Sequence, residues 1–456
     1  MKTVLLLLST DRFSFPLIRY LILEGRRYGW KTCVAGMFEF GILDRIKEEK
    51  FSSDLVLINL TDFRQCDHAI RKSDLVISMV PDIMLLQVAD SCIMHRKSLI
   101  TPSRLNRQMV QRKTQAEENE TLLLLECGFS PGLDHITAKK VIDNINVKKG
   151  KIFSFKTYSG SVIAEKNIDN PWNFKLTEPA RDIINLGRHS NRHLVNNELQ
   201  HVSYNSLFQR SEDIAIQGQK DIIAIPEGDA LYYRKIYQLT DAHTVQKGRL
   251  LRKGFEQIWD LLIRLGMTDT SSRIDFFDDK SFCQFLNSLL PHSPGHSLEE
   301  KLTKFAGASA DDIEKLNWLG LFDTDLLSGY KELTPAVILQ HQMEKKFTLK
   351  EEDKDCIMMQ HQLEYEHRGD HFLFTATLVS QGETHQDSAT AKAIGLTAGA
   401  AAKAFLLGNI KVRGLHIPAK KEIYDPILNE LDDVGVAFHV EEKKVRNAEF
   451  VEVINS

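Results

Sequence analysis

Cysteine is scarce in this chain, and nothing pairs it. Six cysteines (Cys33, Cys66, Cys92, Cys127, Cys283, Cys356) are scattered without a C-x-x-C pair. That suits a reducing cytoplasm, the expected location, better than a disulfide framework or a zinc site. No apolar run approaches the ~20 residues of a membrane span. The amino terminus, MKTVLLLLSTD, has an apolar stretch (Val4–Leu8) too short for a signal peptide, with Asp11 and Arg12 where a small-residue cleavage site would stand. The formal charge of −4 gives no reason to expect nucleic acid or an anionic membrane as partner. His189 and His193 stand four apart, as do His292 and His296, but neither pair has an acidic third ligand at helical spacing. No metal site is expected. Asn59-Leu-Thr61 and Asn119-Glu-Thr121 match the glycosylation pattern and mean little in a cytoplasmic protein.

What is present is an ordinary globular composition, 43% hydrophobic and 26% charged, in a chain long enough for two or three domains. Strand patterns at 3–8, 32–35, 55–59, 75–80, 98–100 and 121–126 alternate with helical patterns at 16–23, 42–50, 63–71, 83–95 and 105–119. This alternation predicts an α/β fold with a doubly wound parallel sheet of Rossmann type. The loop after the first strand, Ser9-Thr10-Asp11-Arg12-Phe13-Ser14, lacks every glycine of G-x-G-x-x-G. Those glycines let a backbone approach a pyrophosphate, so dinucleotide binding here should be weak or absent.

The sequence turns on Glu126–Ala138, ECGFSPGLDHITA, where a buried strand bends through Gly128, Pro131 and Gly132 into a helix. Asp134 is a fitting N-cap, and a polar elbow at the carboxyl end of such a strand is also where open α/β sheets place ligands. Both readings stand, as do packing and acid–base work for His135. Glu126 suits a hydrogen bond to backbone or ribose, and Cys127 an inert buried thiol. A strand is expected at 151–158 and several between 202 and 239. Helical spacing runs through 255–333, and paired strands are expected at 356–367 and 372–380. A small-residued helix is expected at 389–407. The charged run 344–355 reads as a solvated helix face or linker. Lys247, Arg249 and Arg252 form either a solvated basic turn or an anion site.

These anchors together resemble the L-glutamate-forming saccharopine dehydrogenase family over nearly the whole chain. They are DLVISMVP (74–81), GFSPGLDH (128–135), TYSG (157–160), NPWNFK (170–175), WLGLF (318–322) and ATAKAIGLTAGAAAKAFLLG (389–408). The resemblance implies a cofactor domain at 1–127 plus about 388–425. It implies a mixed α/β substrate and dimer domain at 128–250, 345–387 and 426–456, with a helical insertion at 251–344. It further implies reduction by NADPH, or NADH, of an imine joining glutamate to an aminoadipate semialdehyde, in a homodimer. By position, Ser9, Thr10, Arg12, Phe13, Ser78, Met79, Val80, Pro81, Thr101 and Glu126 would meet the cofactor. Ser103, Arg104, Ser130, Ser159, Gly160, Lys247 and Arg249 would meet the substrate, with Asp134 and His135 as catalytic candidates.

The chain departs from the family pattern at several of these places. The glycine-rich turn is gone, and the arginine that would pair an NADP 2′-phosphate is replaced around Gly36-Met37. A pocket aspartate is Ser130, a tyrosine is Arg104, a cysteine is Ser159 and an arginine is Lys247. Two functions follow from these facts: an NAD(P)-linked oxidoreductase acting on an amino-acid imine, or a catalytically silent relative binding a small anionic metabolite or a partner protein.

Overall fold

Val4 to Leu8 are all buried at 2% exposure or less, so the first strand is apolar on both faces, as a strand inside a parallel sheet must be. The computed structural model describes residues 1–8, 13–36, 46–51, 55–59, 63–188, 190–274, 280–326, 333–384, 387–433 and 436–445. In the first sheet, β1 (Lys2–Leu8), β2 (Trp30–Gly36), β3 (Leu55–Asn59), β4 (Leu75–Met79), β5 (Ser98–Ile100) and β6 (Leu122–Leu124) lie in the order 3-2-1-4-5-6. The late strand Gly414–His416 adds beside β6, and every pairing is parallel. The order reverses between β1 and β4, which opens a crevice at the carboxyl ends of those strands.

Helix Phe15–Tyr28 follows β1, carries Pro16 in its first turn and ends at Gly29 in the left-handed region (φ 77°). It packs on helix Ala389–Leu406, whose glycines permit the contact. A Cβ on Gly395 would lie 3.0 Å from the Leu17 amide nitrogen, and one on Gly399 2.6 Å from the Tyr20 ring. Asp355, fully buried, caps that late helix by accepting the amides of Ala389 (2.6 Å) and Thr390 (2.9 Å).

The second sheet is mixed. It contains β7 (Lys151–Ile163), β8 (Asn191–Val195), β9 (Glu198–Val202), β10 (Glu212–Asp213), β11 (Ile222–Pro226), β12 (Thr244–Arg252), β13 (Asp355–His367) and β14 (Asp370–Gln381), with the strand His439–Val445 at one edge. β7 and β12 pair in parallel at its centre, and β13 joins β14 through Arg368-Gly369, both at positive φ, as a two-residue hairpin requires. Between β12 and β13 the described elements are helices: Phe255–Arg264, Phe282–Ser288, Leu298–Ala306, Ala310–Trp318 and Pro335–Lys346. Capping boxes at Ser281, Ser297 and Ser309 start three of them.

Four expectations change. Asp134 is not an N-cap: helix Leu133–Val147 is capped at Gly132, and Asp134 lies inside its first turn. The helix expected over 105–119 is two short ones, Arg107–Val110 and Lys113–Glu118. Residues 230–236, read as strand, are a helix, because Asp229 caps it by accepting the Leu231 amide (3.1 Å) and Tyr233 packs inward. The run 344–355 is not simply solvated. Asp353 is 2% exposed and meets Lys175 at 2.8 Å, while Asp355 caps a helix.

Candidate active site

Beyond β6 the chain bends back on itself between Gly128 and Gly132. Glu126 takes φ 60°, a left-handed conformation that costs a non-glycine residue ~1–2 kcal/mol. Backbone bonds hold it there: Glu126 donates to Ser103 O (3.1 Å) and Cys127 to Thr101 O (3.0 Å). Glu126 Oε1 accepts the Leu105 amide at 2.9 Å, which pins the loop carrying Arg104. Gly132 has φ 144°, and a Cβ there would sit 2.2 Å from Gly128 O, so only glycine closes the turn.

Asp134 is 1% exposed and spends both oxygens on this turn. Oδ1 accepts the amides of Gly132 (2.6 Å) and His135 (2.8 Å), and Oδ2 accepts the Ser130 hydroxyl (2.9 Å). Burial pushes its pKa up, but His135, Lys247 and these hydrogen bonds outweigh it and hold the carboxyl below its ordinary value. His135 is fully buried. Its Nε2 faces Glu126 Oε2 at 2.8 Å, off the line of an aligned hydrogen bond, and Nδ1 lies 2.7 Å from the Tyr237 hydroxyl. The imidazole stacks on Tyr233 (5.1 Å between centroids), and the Lys247 ammonium sits 5.5 Å from the centre of the same ring. Cys127 is fully buried, and burial raises its thiol pKa well above the usual value, so it is inert.

A cavity of about 210 Å³ opens where the two sheets meet. Phe13, Pro102, Phe129 and Ile394 form apolar walls, while Ser130, Ser159, Glu178, Glu227 and Arg249 form the polar side. Gly160 contributes backbone alone, since a Cβ would lie 2.3 Å from Leu250 O. Ser161 Oγ meets Thr390 Oγ1 at 2.7 Å and ties β7 to the late helix.

Three cations from the two domains approach this region in different states. Arg249 is ion-paired to Glu178 and lies 3.5 Å from Glu227. Burial, then the charge of Arg104, lowers its pKa to about 10. Lys247, 2% exposed, faces Glu227 at 3.5 Å and Ser130 Oγ at 3.4 Å. Arg104 is exposed and makes no ion pair among the described residues. Enough protein surrounds it for burial to oppose its charge, but Glu227, Tyr233, Asp134 and Glu126 raise its pKa overall.

Of the expected cofactor contacts, Ser9, Thr10 and Arg12 lie outside the described residues. Phe13 lines the cavity. Ser78, Val80 and Thr101 are buried, Met79 is half-buried, and Pro81 is exposed at the start of helix Asp82–Met94. Ser103 is half-buried, and its amide donates to Thr101 Oγ1 (3.2 Å). The Ser78 hydroxyl is buried at the end of β4 without a hydrogen-bond partner among the described residues. That orphaned donor beside the switch point and the apolar wall of the cavity fit the nicotinamide end of a dinucleotide. Sequence reasoning missed Glu227, Glu178, Tyr233 and Tyr237. The tyrosines fall within 202–239, where the sequence pattern predicts strands.

A family model described as saccharopine dehydrogenase C-terminal domain matches residues 128–436. This chain belongs to the saccharopine dehydrogenase family. Its match begins at the elbow and takes in the whole second sheet up to Gln381. The chain is 26% identical over 406 residues to a saccharopine dehydrogenase [NADP(+), L-glutamate-forming] of Pyricularia oryzae, covering 83% of this chain and 86% of that one. It is 27% identical to the mitochondrial alpha-aminoadipic semialdehyde synthase of Mus musculus over 82% of this chain but only 41% of the mouse protein. The apo saccharopine dehydrogenase (L-Glu forming) of Saccharomyces cerevisiae superposes with a TM-score of 0.84 at 25% identity, covering 98% of this chain and all of the yeast one. Nothing in these similarities favours the silent relative over the enzyme.

Proposed function

We propose that this chain is an NAD(P)-linked oxidoreductase acting on the C–N bond of a secondary amine that joins two amino-acid skeletons, with saccharopine as the first substrate to test. The relatives' names support the reaction class. The observation that carries the reading is the convergence of Arg104, Lys247 and Arg249 on Glu227, which with Arg249 lines a cavity beside the switch point. Saccharopine is a tricarboxylate, and such a ligand needs several cations held by different elements.

In this reading Arg104 takes a carboxylate directly, because no acid among the described residues is paired with it. Lys247 and Arg249 receive carboxylates by loosening their ties to Glu227 and Glu178, while the Ser130 and Ser159 hydroxyls orient the chain between them. Ser78, Phe13, Thr101 and the backbone near Gly160 would hold the nicotinamide end, which supplies or accepts the hydride when bound. His135 and Asp134 are positioning residues, since both are buried and their polar atoms are turned to protein. The missing glycines of residues 9–14 and the missing arginine after β2 favour modest affinity and no strong preference between NADP and NAD. A homodimer through the exposed edge strand His439–Val445 is part of the proposal.

A steady-state assay of saccharopine oxidation with each cofactor tests the activity. Turnover with at least one is expected. Folded protein with no turnover by either, at millimolar cofactor, removes the named reaction. Sedimentation of a monomer at micromolar concentration removes the dimer.

A further inference from the structure

A second and larger hollow, about 840 Å³, lies at the carboxyl ends of β5, β6 and the strand Gly414–His416, between them and helix Ala230–Ile236. None of its lining residues lines the 210 Å³ cavity. Five lysines surround it (Lys113, Lys139, Lys235, Lys420, Lys421) against two acids, Asp143 and Glu422, in a chain whose formal charge is −4. Asp143 is taken by Lys139 at 2.5 Å, and Lys421 is ion-paired with Asp425. Lys235 and Lys420 are exposed and make no ion pair among the described residues. The floor is apolar, built from Leu105, Tyr232 and Ile236.

We infer that this hollow is a binding site for a small organic polyanion, with two or more carboxylate or phosphate groups on an apolar or planar body. The volume falls in the range of small-molecule pockets. Two unneutralised ammonium groups over an apolar floor attract a ligand that is anionic at one side and greasy at the other. An inorganic anion would leave the floor unused. A nucleic acid would meet a chain of net negative charge outside the hollow. The site also touches the catalytic region from behind. Leu105 is the residue whose amide Glu126 holds, and Tyr232 contacts Tyr233 edge-on at 5.7 Å.

Calorimetric titration of the full chain with citrate, ATP and pyrophosphate, at physiological salt, tests this without reference to turnover. Citrate distinguishes carboxylates from phosphates, and pyrophosphate tests the need for an organic body. Saturable binding of citrate or ATP is expected, tighter than pyrophosphate and weakened at least ~tenfold (about 1.4 kcal/mol) by the double change Lys235→Glu, Lys420→Glu. Both side chains are exposed, so the apo melting temperature should stay unchanged, and it is measured alongside. Three outcomes overturn the proposal: no saturable binding by any probe, pyrophosphate binding as tightly as the organic anions, or binding that survives the double variant and disappears in Arg104→Ala.

Discussion

The two sheets are stabilised in different ways. In the first, the buried strand residues are almost all aliphatic: Val4–Leu8, Leu75–Ile77 and Leu122–Leu124 are each 2% exposed or less. In the second, strands of similar burial carry Thr157, Ser159, Lys247, Gln360 and His361, all at 6% exposure or less. Every one of those polar groups must find a partner or lose ~1–3 kcal/mol. The first sheet is therefore held by volume, the second by pairing, and the cations of the candidate site stand on the paired side. His361 shows what pairing means here: its ring is fully buried, with Thr137 Oγ1 2.8 Å from one nitrogen and Thr157 Oγ1 2.9 Å from the other.

The sharpest way to break the comparison is to remove one half of a buried pair. Lys175 and Asp353 are each 3% exposed at the side chain, so Asp353→Ala leaves an ammonium buried with only the partly exposed Asp169, 2.9 Å away, to answer it. A loss of ~3–5 kcal/mol is expected in denaturant unfolding. In the first sheet the counterpart is Leu6→Ala, fully buried, which should cost ~2–5 kcal/mol through its cavity alone. Leu6→Met should then be tolerated within ~1.5 kcal/mol, whereas Asp353→Leu should still leave Lys175, in the segments that flank the second sheet, without its partner. Equal tolerance at both sites would erase the distinction.

Acid should separate the sheets as well. Burial lowers the pKa of both His193 and His361 to about 4. Asp229 opposes the shift at His193 and Lys247 adds to it; Asp134 opposes it at His361 and His135 adds to it. Their unfolded value is ~6.5. Below pH 6.5 the unfolded chain takes up protons that the native chain refuses, so this stability is present above about 6.5 and is lost as pH falls toward 4. Each unit of difference is worth ~1.4 kcal/mol. The melting temperature should fall over that window, and His361→Gln should flatten the fall. A fall confined to pH below 4 would assign it to carboxylates such as Asp134 instead.

The same contrast governed what could be read from the sequence. The alternation of apolar strands and helices up to residue 126 is visible because burial on both faces leaves few polar residues in those strands, Thr32, Ser78 and Ser98 among them. The hairpin β13–β14 and the small-residued helix were equally legible. The partners of buried polar groups were not. Asp353 and Asp355 sit in what looks like a solvated charged run, and their partners Lys175 and the late helix are far away in sequence. Helix Ala230–Ile236 contains Tyr232, Tyr233 and Ile236, which favour strands locally, and only packing against His135 and the Asp229 cap decides otherwise. The cluster Arg104, Lys247 and Arg249 was nameable residue by residue, but Glu227 and Glu178, which distinguish the paired cations from the unpaired one, carried no signal.

That last distinction gives the smallest expected effect and the most direct reading of function. Arg104 is exposed and has no ion pair to lose among the described residues, so Arg104→Ala should leave the unfolding free energy within ~0.5 kcal/mol of the parent. If it holds a substrate carboxylate, kcat/KM should fall roughly tenfold to a hundredfold, ~1.4 to 2.7 kcal/mol, mainly through KM. Arg249→Ala removes a cation that Glu178 and Glu227 share, leaving those acids facing each other across the cavity wall. It should lower both stability and kcat/KM. Arg249→Lys should recover the stability but not the full activity, because a point charge replaces the planar fork. Should Arg104→Ala leave KM unchanged while Arg249→Ala alone abolishes turnover, the paired cation is the anchor. The substrate would then bind by displacing Glu178 or Glu227 rather than by meeting a waiting charge.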